Sequence, residues 1–171
     1  MTITFPEQFN MATYYLDDRI KEGRGNKVAV YYEDQQYTYA DVQRMANRVG
    51  NVLLNLGIEM EDRVLMVLPD SIEFVATWFA IAKIGAVITM VNTILPTADY
   101  EYYLDYTRAK VAVVHASVME RFAPAAAHSR YLRHTVVVGT KVSGSVESLS
   151  GRSSIVSYEK AIDAASDQLE T

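Results

Sequence analysis

Three histidines, His115, His128 and His134, are the first places to look for chemistry in this chain, because an imidazole can act as a base or a metal ligand near neutral pH. Their spacing supports neither role. No H-E-x-x-H run or other ligand spacing surrounds them, and the absence of cysteine excludes thiolate metal sites and disulfides. Each reads as a strand-end or surface histidine. Nucleophilic catalysis has no support either, since there is no G-x-S-x-G elbow and spacing pairs no serine with a histidine. The pair Gly23 and Gly25 lacks a third glycine and precedes a strand-like run instead of following one, which argues against a dinucleotide fingerprint. The run Val142-Ser143-Gly144-Ser145-Val146 does follow such a strand, but neither close-spaced glycines nor a lysine comes directly after Ser145 to cradle a phosphate. It reads as a solvated linker.

Asp70 and Glu73 invite a paired-carboxylate reading. Their spacing ahead of an apolar run more simply makes them the N-cap and N3 residues of a capping box, facing the positive end of a helix dipole. Tyr100, Tyr102, Tyr103 and Tyr106 suggest a stacking platform for bases, yet Asp99, Glu101 and Asp105 are interleaved and no basic stripe accompanies them. A helix packed by one face is expected there, and Trp78 is expected in the core. The residues therefore nominate no catalytic, cofactor-binding or metal-ligating side chain.

The elements that would position a site are organised around residues 62–92. Val64 to Leu68 is an unbroken apolar run, suited to a strand buried on both faces of a parallel sheet. Pro69 ends it, and between Ile72 and Ile84 only Glu73, Thr77 and Lys83 are polar, so the helix there must be buried nearly all round. Gly85 stops that helix, and Ala86 to Val91 is a second strand-length run, completing a β-α-β unit with a right-handed crossover expected. A membrane span over Phe74–Val91 is disfavoured, because Lys83 in mid-span would cost roughly 2.5–3.5 kcal/mol and Gly85 divides the run.

Before this unit, Asn10 can cap a helix running to Gly23, Lys27–Tyr32 and Tyr37–Tyr39 read as an edge hairpin, and Thr38 caps a helix from Tyr39 to Leu56 closed by Gly57. After it, Thr97 is the expected cap of a helix through Leu104. Val111–Val114 and Thr135–Val138 read as buried strands flanking a helix from Val118 to about Ala127 that contains Pro124. Residues 140–154 hold six serines and two glycines without apolar periodicity and read as a mobile loop; Ser157 caps a last amphipathic piece, and Ser166–Thr171 carries no element. The expected fold is α/β, with a mainly parallel, doubly covered sheet preceded by an N-terminal helix and hairpin.

With 171 residues, half of them hydrophobic, the chain can bury the core of one domain or part of a larger one. A formal net charge of -5 gives no general attraction to nucleic acid or anionic lipid, so a small solute or a protein is the expected partner. The start, MTITFPEQFNMATYY, lacks the basic region and apolar core of a secretion signal, making a cytoplasmic location the default.

Three stretches, FPEQFNMATYYLDDRIKEGRGNKVAVYYEDQQYTYADV (5–42), RVGNVLLNLGIEMEDRVLMVLPDSIEFVATWFAIAKIGAVITMVNTILP (48–96) and DYEYYLDYTRAKVAVV (99–114), resemble in order and spacing the beginning of the adenylate-forming acyl-CoA synthetases. This AMP-binding superfamily contains the carboxylate–CoA ligases, the luciferases and the peptide-synthetase adenylation domains, and the resemblance is to its benzoate–CoA ligase-like branch. It implies the first part of the large N-terminal domain of that fold: an α/β core over 5–139, a loop over 140–154, and the start of a following segment over 155–171. It also implies a parent that activates a carboxylic acid with Mg-ATP to an acyl-adenylate and passes the acyl group to coenzyme A. The family's phosphate loop ending in Gly-x-Pro-Lys, its aromatic-Thr-Glu motif, its ribose-binding acid, its hinge and its lid lysine do not occur within residues 1–171. Some relatives carry an Asn-Pro-Arg turn whose arginine meets a CoA phosphate; here Asn92 is followed by Thr93 and Ile94, so that contact does not transfer. The resemblance thus predicts a chain that binds no ATP, Mg or CoA by itself and meets the remainder of its parent, or a second copy, through exposed apolar faces. The contrasting expectations are a self-sufficient, non-catalytic flavodoxin-like module binding a ligand or partner at its sheet edge, and a pseudoenzyme that dimerises with an intact ligase. A Gly-x-Pro-Lys loop in the reading frame downstream of Thr171 separates the ligase parent from the module, and co-purification tests the pseudoenzyme.

Overall fold

The computed structural model describes residues 7–139 and 153–170. Asn10 opens a helical arm that runs to Arg24 and is wound as π-helix over Thr13–Asp17 and Ile20–Arg24. The Asn10 Oδ1 accepts the Ala12 and Thr13 amides at 2.9 and 3.2 Å, the expected cap, and Gly23 at φ +79° breaks the arm. Strands β1 (Val28–Tyr32) and β2 (Gln35–Thr38) form the hairpin. It does not lie at the edge of the main sheet, as expected, but is a two-stranded sheet of its own. The reason lies in its side chains: Val30, Tyr32 and Tyr37 pack with Leu16 of the arm against Val42, Ala46 and Ile72, so the hairpin and arm cover helices and not strands. Helix α1 (Tyr39–Asn55) begins in a capping box, with Thr38 and Asp41 each accepting the other's backbone N–H, and Gly57 at φ +79° follows its end.

The main sheet contains β3 (Arg63–Val67), β4 (Val87–Met90), β5 (Val111–His115), β6 (His134–Val138) and β7 (Ser154–Ser157), in the order β4-β3-β5-β6-β7 with every neighbour parallel. Counted from β3 this is the doubly wound order 2-1-3-4-5. Side chains alternate between two cores, as the two-residue period of a strand requires. Val64, Met66, Val111, Val113 and Val136 point to the core shared with α1, α2 (Ile72–Lys83) and α5 (Tyr158–Ala164). Leu65, Val67, Ala112 and Val114 point to the core under α3 (Thr97–Thr107) and α4 (Met119–His128). Both faces are therefore apolar, which is why these strands read as continuous hydrophobic runs.

Sandwiched between the sheet and the hairpin layer, α2 has no exposed residue. Its cap is not Asp70 but Ser71, whose Oγ accepts the Phe74 N–H at 3.2 Å; Asp70 lies one residue too early, so Glu73 is not at N3 and no capping box forms. Thr97 is likewise the first residue of α3 and not its cap: Pro96 holds that position, and the Thr97 hydroxyl donates to the Arg121 carbonyl at 2.9 Å. One face of α3 is buried, with Tyr100 and Leu104 inaccessible while Tyr102 and Tyr106 stack in solvent. The helix α4 continues through Pro124. Strand β7 takes in Ser154, which the serine-rich composition had assigned to a loop; residues 140–152, with the Ser143-Gly144-Ser145 run, lie outside the described residues. Among the described residues no helix is long and apolar enough to cross a membrane.

Candidate functional site

In a doubly wound sheet ligands bind beyond the carboxyl ends of the strands, where the strand order reverses. Here the chain leaves β3 toward β4 on one side and returns to β5 on the other, so the crevice lies between residues 68–71 and 115–118. Ser71 at this edge is committed to capping α2. His115 closes β5, and its Nδ1 accepts the Ser117 N–H at 3.2 Å and lies 2.8 Å from the Ser117 hydroxyl. Because Nδ1 accepts a backbone amide, the neutral ring carries its proton on Nε2. That side of the ring rests on Gly139, where a Cβ would come within 2.9 Å of Nε2 and where φ is +81°. The Gly139 N–H in turn donates to the Glu159 carboxylate at 2.7 Å, and Glu159 also takes the Ser157 hydroxyl at 3.2 Å. Behind them Tyr158 is buried among the helices, and burial first, then the Glu73 charge, push its phenol well above the ordinary tyrosine range.

This edge is built as structure. The Ser117 hydroxyl beside an imidazole resembles a nucleophile and base, but both Ser117 groups are used to cap a single turn around Nδ1. His128 pairs with Glu101 at 2.8 Å on the outer face of α3, and His134 meets Ser154 at the opposite, amino edge of the sheet, so the three histidines never converge. For His134 burial, followed by the Arg133 charge, holds the imidazole below its ordinary value. Among the described residues no three histidine or acidic side chains gather to share a cation. Among the described residues the carboxyl edge presents Asp70, Glu73 and Glu159, carboxylates that would oppose a triphosphate, and no glycine-rich nest with a lysine. The described residues therefore do not fit Mg-ATP.

A second concavity lies at the amino edge, a cleft of about 1210 Å3 between the N-terminal arm, α1, the end of α2 and residues 168–170. Its buried feature is Lys83, whose ammonium meets both Asp17 carboxylate oxygens at 2.9 and 3.0 Å while Gln43 donates to the same carboxylate. The Asn10 carboxamide closes the end of α2 beside it, donating to the Ala82 and Lys83 carbonyls at 2.9 and 3.1 Å. Lys83 was legible only as a polar break in an apolar helix. Its partner, across the arm, left no local signal.

Comparison with known proteins gives this scaffold its context. Residues 17–168 match the model of the family described as "AMP-binding enzyme". The chain is 38% identical over 139 residues to benzoate–CoA ligase of Thauera aromatica, covering 80% of this chain and 26% of that protein. It is 30% identical over 131 residues to the 4-hydroxybenzoate–CoA/benzoate–CoA ligase of Rhodopseudomonas palustris, covering 77% of this chain and 24% of that protein. Among solved structures it superposes on the anthranilate CoA ligase AuaEII in complex with anthranoyl-AMP, with a TM-score of 0.86 and 30% identity over 98% of this chain and 30% of that one. A benzoate CoA ligase of Burkholderia xenovorans gives a TM-score of 0.75 at 25% identity, covering 93% of this chain and 29% of that one. The chain thus spans about a quarter of the curated relatives it matches. Its doubly wound sheet is the α/β fold of the acyl-CoA ligases, and the chain belongs to the AMP-binding enzyme family, with benzoate–CoA ligases among its relatives.

Proposed function

We propose that residues 1–171 are part of the large N-terminal domain of an ATP-dependent carboxylic acid–CoA ligase, with aromatic acids of the benzoate type as substrates. In the longer enzyme the acid is joined to AMP with release of pyrophosphate, and the acyl group then passes to the thiol of CoA. The observation that carries this reading is the superposition of nearly the whole chain on less than a third of a CoA ligase that holds an acyl-adenylate in its crystal structure. The role of these residues is scaffold. The β-α-β core and its covering layers supply the rigid sheet against which the ATP-binding and acyl-binding parts are built, and the apolar side chains left in solvent at Phe9, Met11, Tyr14, Val87 and Met90 are faces for those parts or for a second copy. Mg, ATP and CoA are cofactors of the longer enzyme, working in the cytoplasm, and this chain alone binds none of them.

Pyrophosphate exchange tests the proposal. The pure 171-residue chain is expected to give no acid-dependent exchange with benzoate, 4-hydroxybenzoate or anthranilate, because the groups that would stabilise a pentavalent phosphorus are absent from it. A chain extended along its reading frame through a Gly-x-Pro-Lys loop to family length is expected to give it. Exchange by the 171-residue chain overturns the scaffold reading, and failure of the extended chain with every aromatic acid overturns the substrate class. The sheet order 2-1-3-4-5 favours one second reading: a non-catalytic flavodoxin-like module. A stop codon directly after Thr171 favours that module.

A further inference from the structure

Residues 165–170 have no helix or strand of their own, yet their accessibility alternates: Ala165, Asp167 and Leu169 are half-buried, whereas Ser166, Gln168 and Glu170 are exposed. A two-residue alternation is that of an extended segment laid by one face on a surface. The surface is α1. The Asn47 carboxamide donates to the Asp167 carbonyl at 2.8 Å, and the Asn51 carboxamide donates to the Ser166 and Gln168 carbonyls, both at 2.9 Å. Gly50 lies on the same face, and Leu169 occupies the space its absent side chain leaves, so that a Cβ there would sit 2.4 Å from the leucine Cδ2. Three successive carbonyls are read without reference to the side chains of residues 166–168. Only the leucine is read by shape.

We propose that the Asn47, Gly50 and Asn51 face of α1 is a docking groove for an extended polypeptide segment with one leucine-sized anchor, filled in cis by residues 165–169, and that this segment is a releasable strap over the Lys83 cleft. The strap supplies one wall of that cleft through Gln168, Leu169 and Glu170, facing Phe9 and Asn10 on the other side. Held by side-chain amides and a single apolar anchor, with no ladder partner of its own, it opens locally without unfolding the sheet. Opening removes one wall of the cleft that Lys83 also lines, where its side chain is 3% accessible with the strap seated and its ammonium is held by Asp17.

Amine-reactive labelling of the full chain, read by mass spectrometry, tests the strap. In the unmodified protein Lys83 is expected to react far more slowly than Lys110, whose side chain is 45% accessible. Leu169→Ala removes the anchor and Asn51→Ala removes two carbonyl contacts; both residues lie outside the sheet cores, and the helical circular dichroism is expected to stay unchanged. In each variant Lys83 labelling is expected to accelerate roughly tenfold while Lys110 labelling does not change. Unchanged Lys83 labelling in both variants overturns the proposal. So does Lys83 labelling as fast as that of Lys110 in the unmodified chain.

Discussion

Asp17→Ala should be among the more damaging single substitutions in this chain, although Asp17 lies in an arm outside the sheet. The Lys83 side chain is 3% accessible and that of Asp17 13%, with both carboxylate oxygens within 3.0 Å of the ammonium. Removing one member of a buried pair leaves the other charge without compensation, at a cost of about 3–5 kcal/mol. With a urea dependence of about 2 kcal/mol per molar, the unfolding midpoint falls by roughly 1.5–2.5 M. Lys83→Met keeps the apolar stem, and it leaves behind the more accessible partner, still bonded by Gln43, so its loss is expected to be smaller, about 1–3 kcal/mol. The double variant carries no orphaned charge and should recover to within about 2 kcal/mol of the parent protein. Urea titrations of the four proteins, followed by far-ultraviolet circular dichroism, measure the cycle. A loss below about 1 kcal/mol for Asp17→Ala, or losses that simply add in the double variant, would refute the claim that the pair is buried and coupled.

Ser71→Ala should cost about 1 kcal/mol of stability while Asp70→Ala costs a few tenths at most, since the serine is the observed cap; thermal melts that reverse the ranking would restore Asp70. Gly139→Ala places a Cβ at a positive φ and against the His115 ring, and a melting temperature lowered by roughly 2–8 °C is expected. Burial alone would raise the Asp62 pKa, but hydrogen bonds from Lys110 and the Glu59 amide, with the Lys110 and Arg63 charges, outweigh it and hold the carboxyl below its ordinary value. A group depressed in the folded state lends stability above its unfolded pKa and loses it as pH falls through the folded one. Lys110→Met should therefore flatten the acid limb of a stability profile measured below about pH 5.

The strands of the core were legible because burial on both faces leaves unbroken valine and leucine runs, as at Val64–Leu68 and Val111–Val114. Caps were legible where a single candidate stood before the helix, as at Thr38 and Ser157, and were misread where two adjacent residues competed, as at Asp70 and Ser71. Strand β7 was hidden because Ser154-Ile155-Val156-Ser157 is short and follows a serine-rich stretch, and its pairing with β6 is a tertiary fact. The hairpin was seen but attached to the wrong layer, since period-2 patterning says which face is buried and not what buries it. The candidate site was the least legible part. His115, Gly139 and Glu159 meet only because three strands end at one level, and Asp17 meets Lys83 across most of the arm and two helices.

Asn10 bonds the first turn of the arm with its oxygen and the last turn of α2 with its nitrogen, so a single carboxamide serves two helix ends that lie 72 residues apart. On a ribosome adding about 5–20 residues per second, the arm is out roughly 4–15 s before the carbonyls it needs have been synthesised. During that interval Leu16, which the folded chain buries with Ile72 of α2, lacks that part of its cover. Aspartate at this position could still serve the first turn but would repel the second, and serine is too short to bridge them, so neither keeps the arm tied to the end of α2.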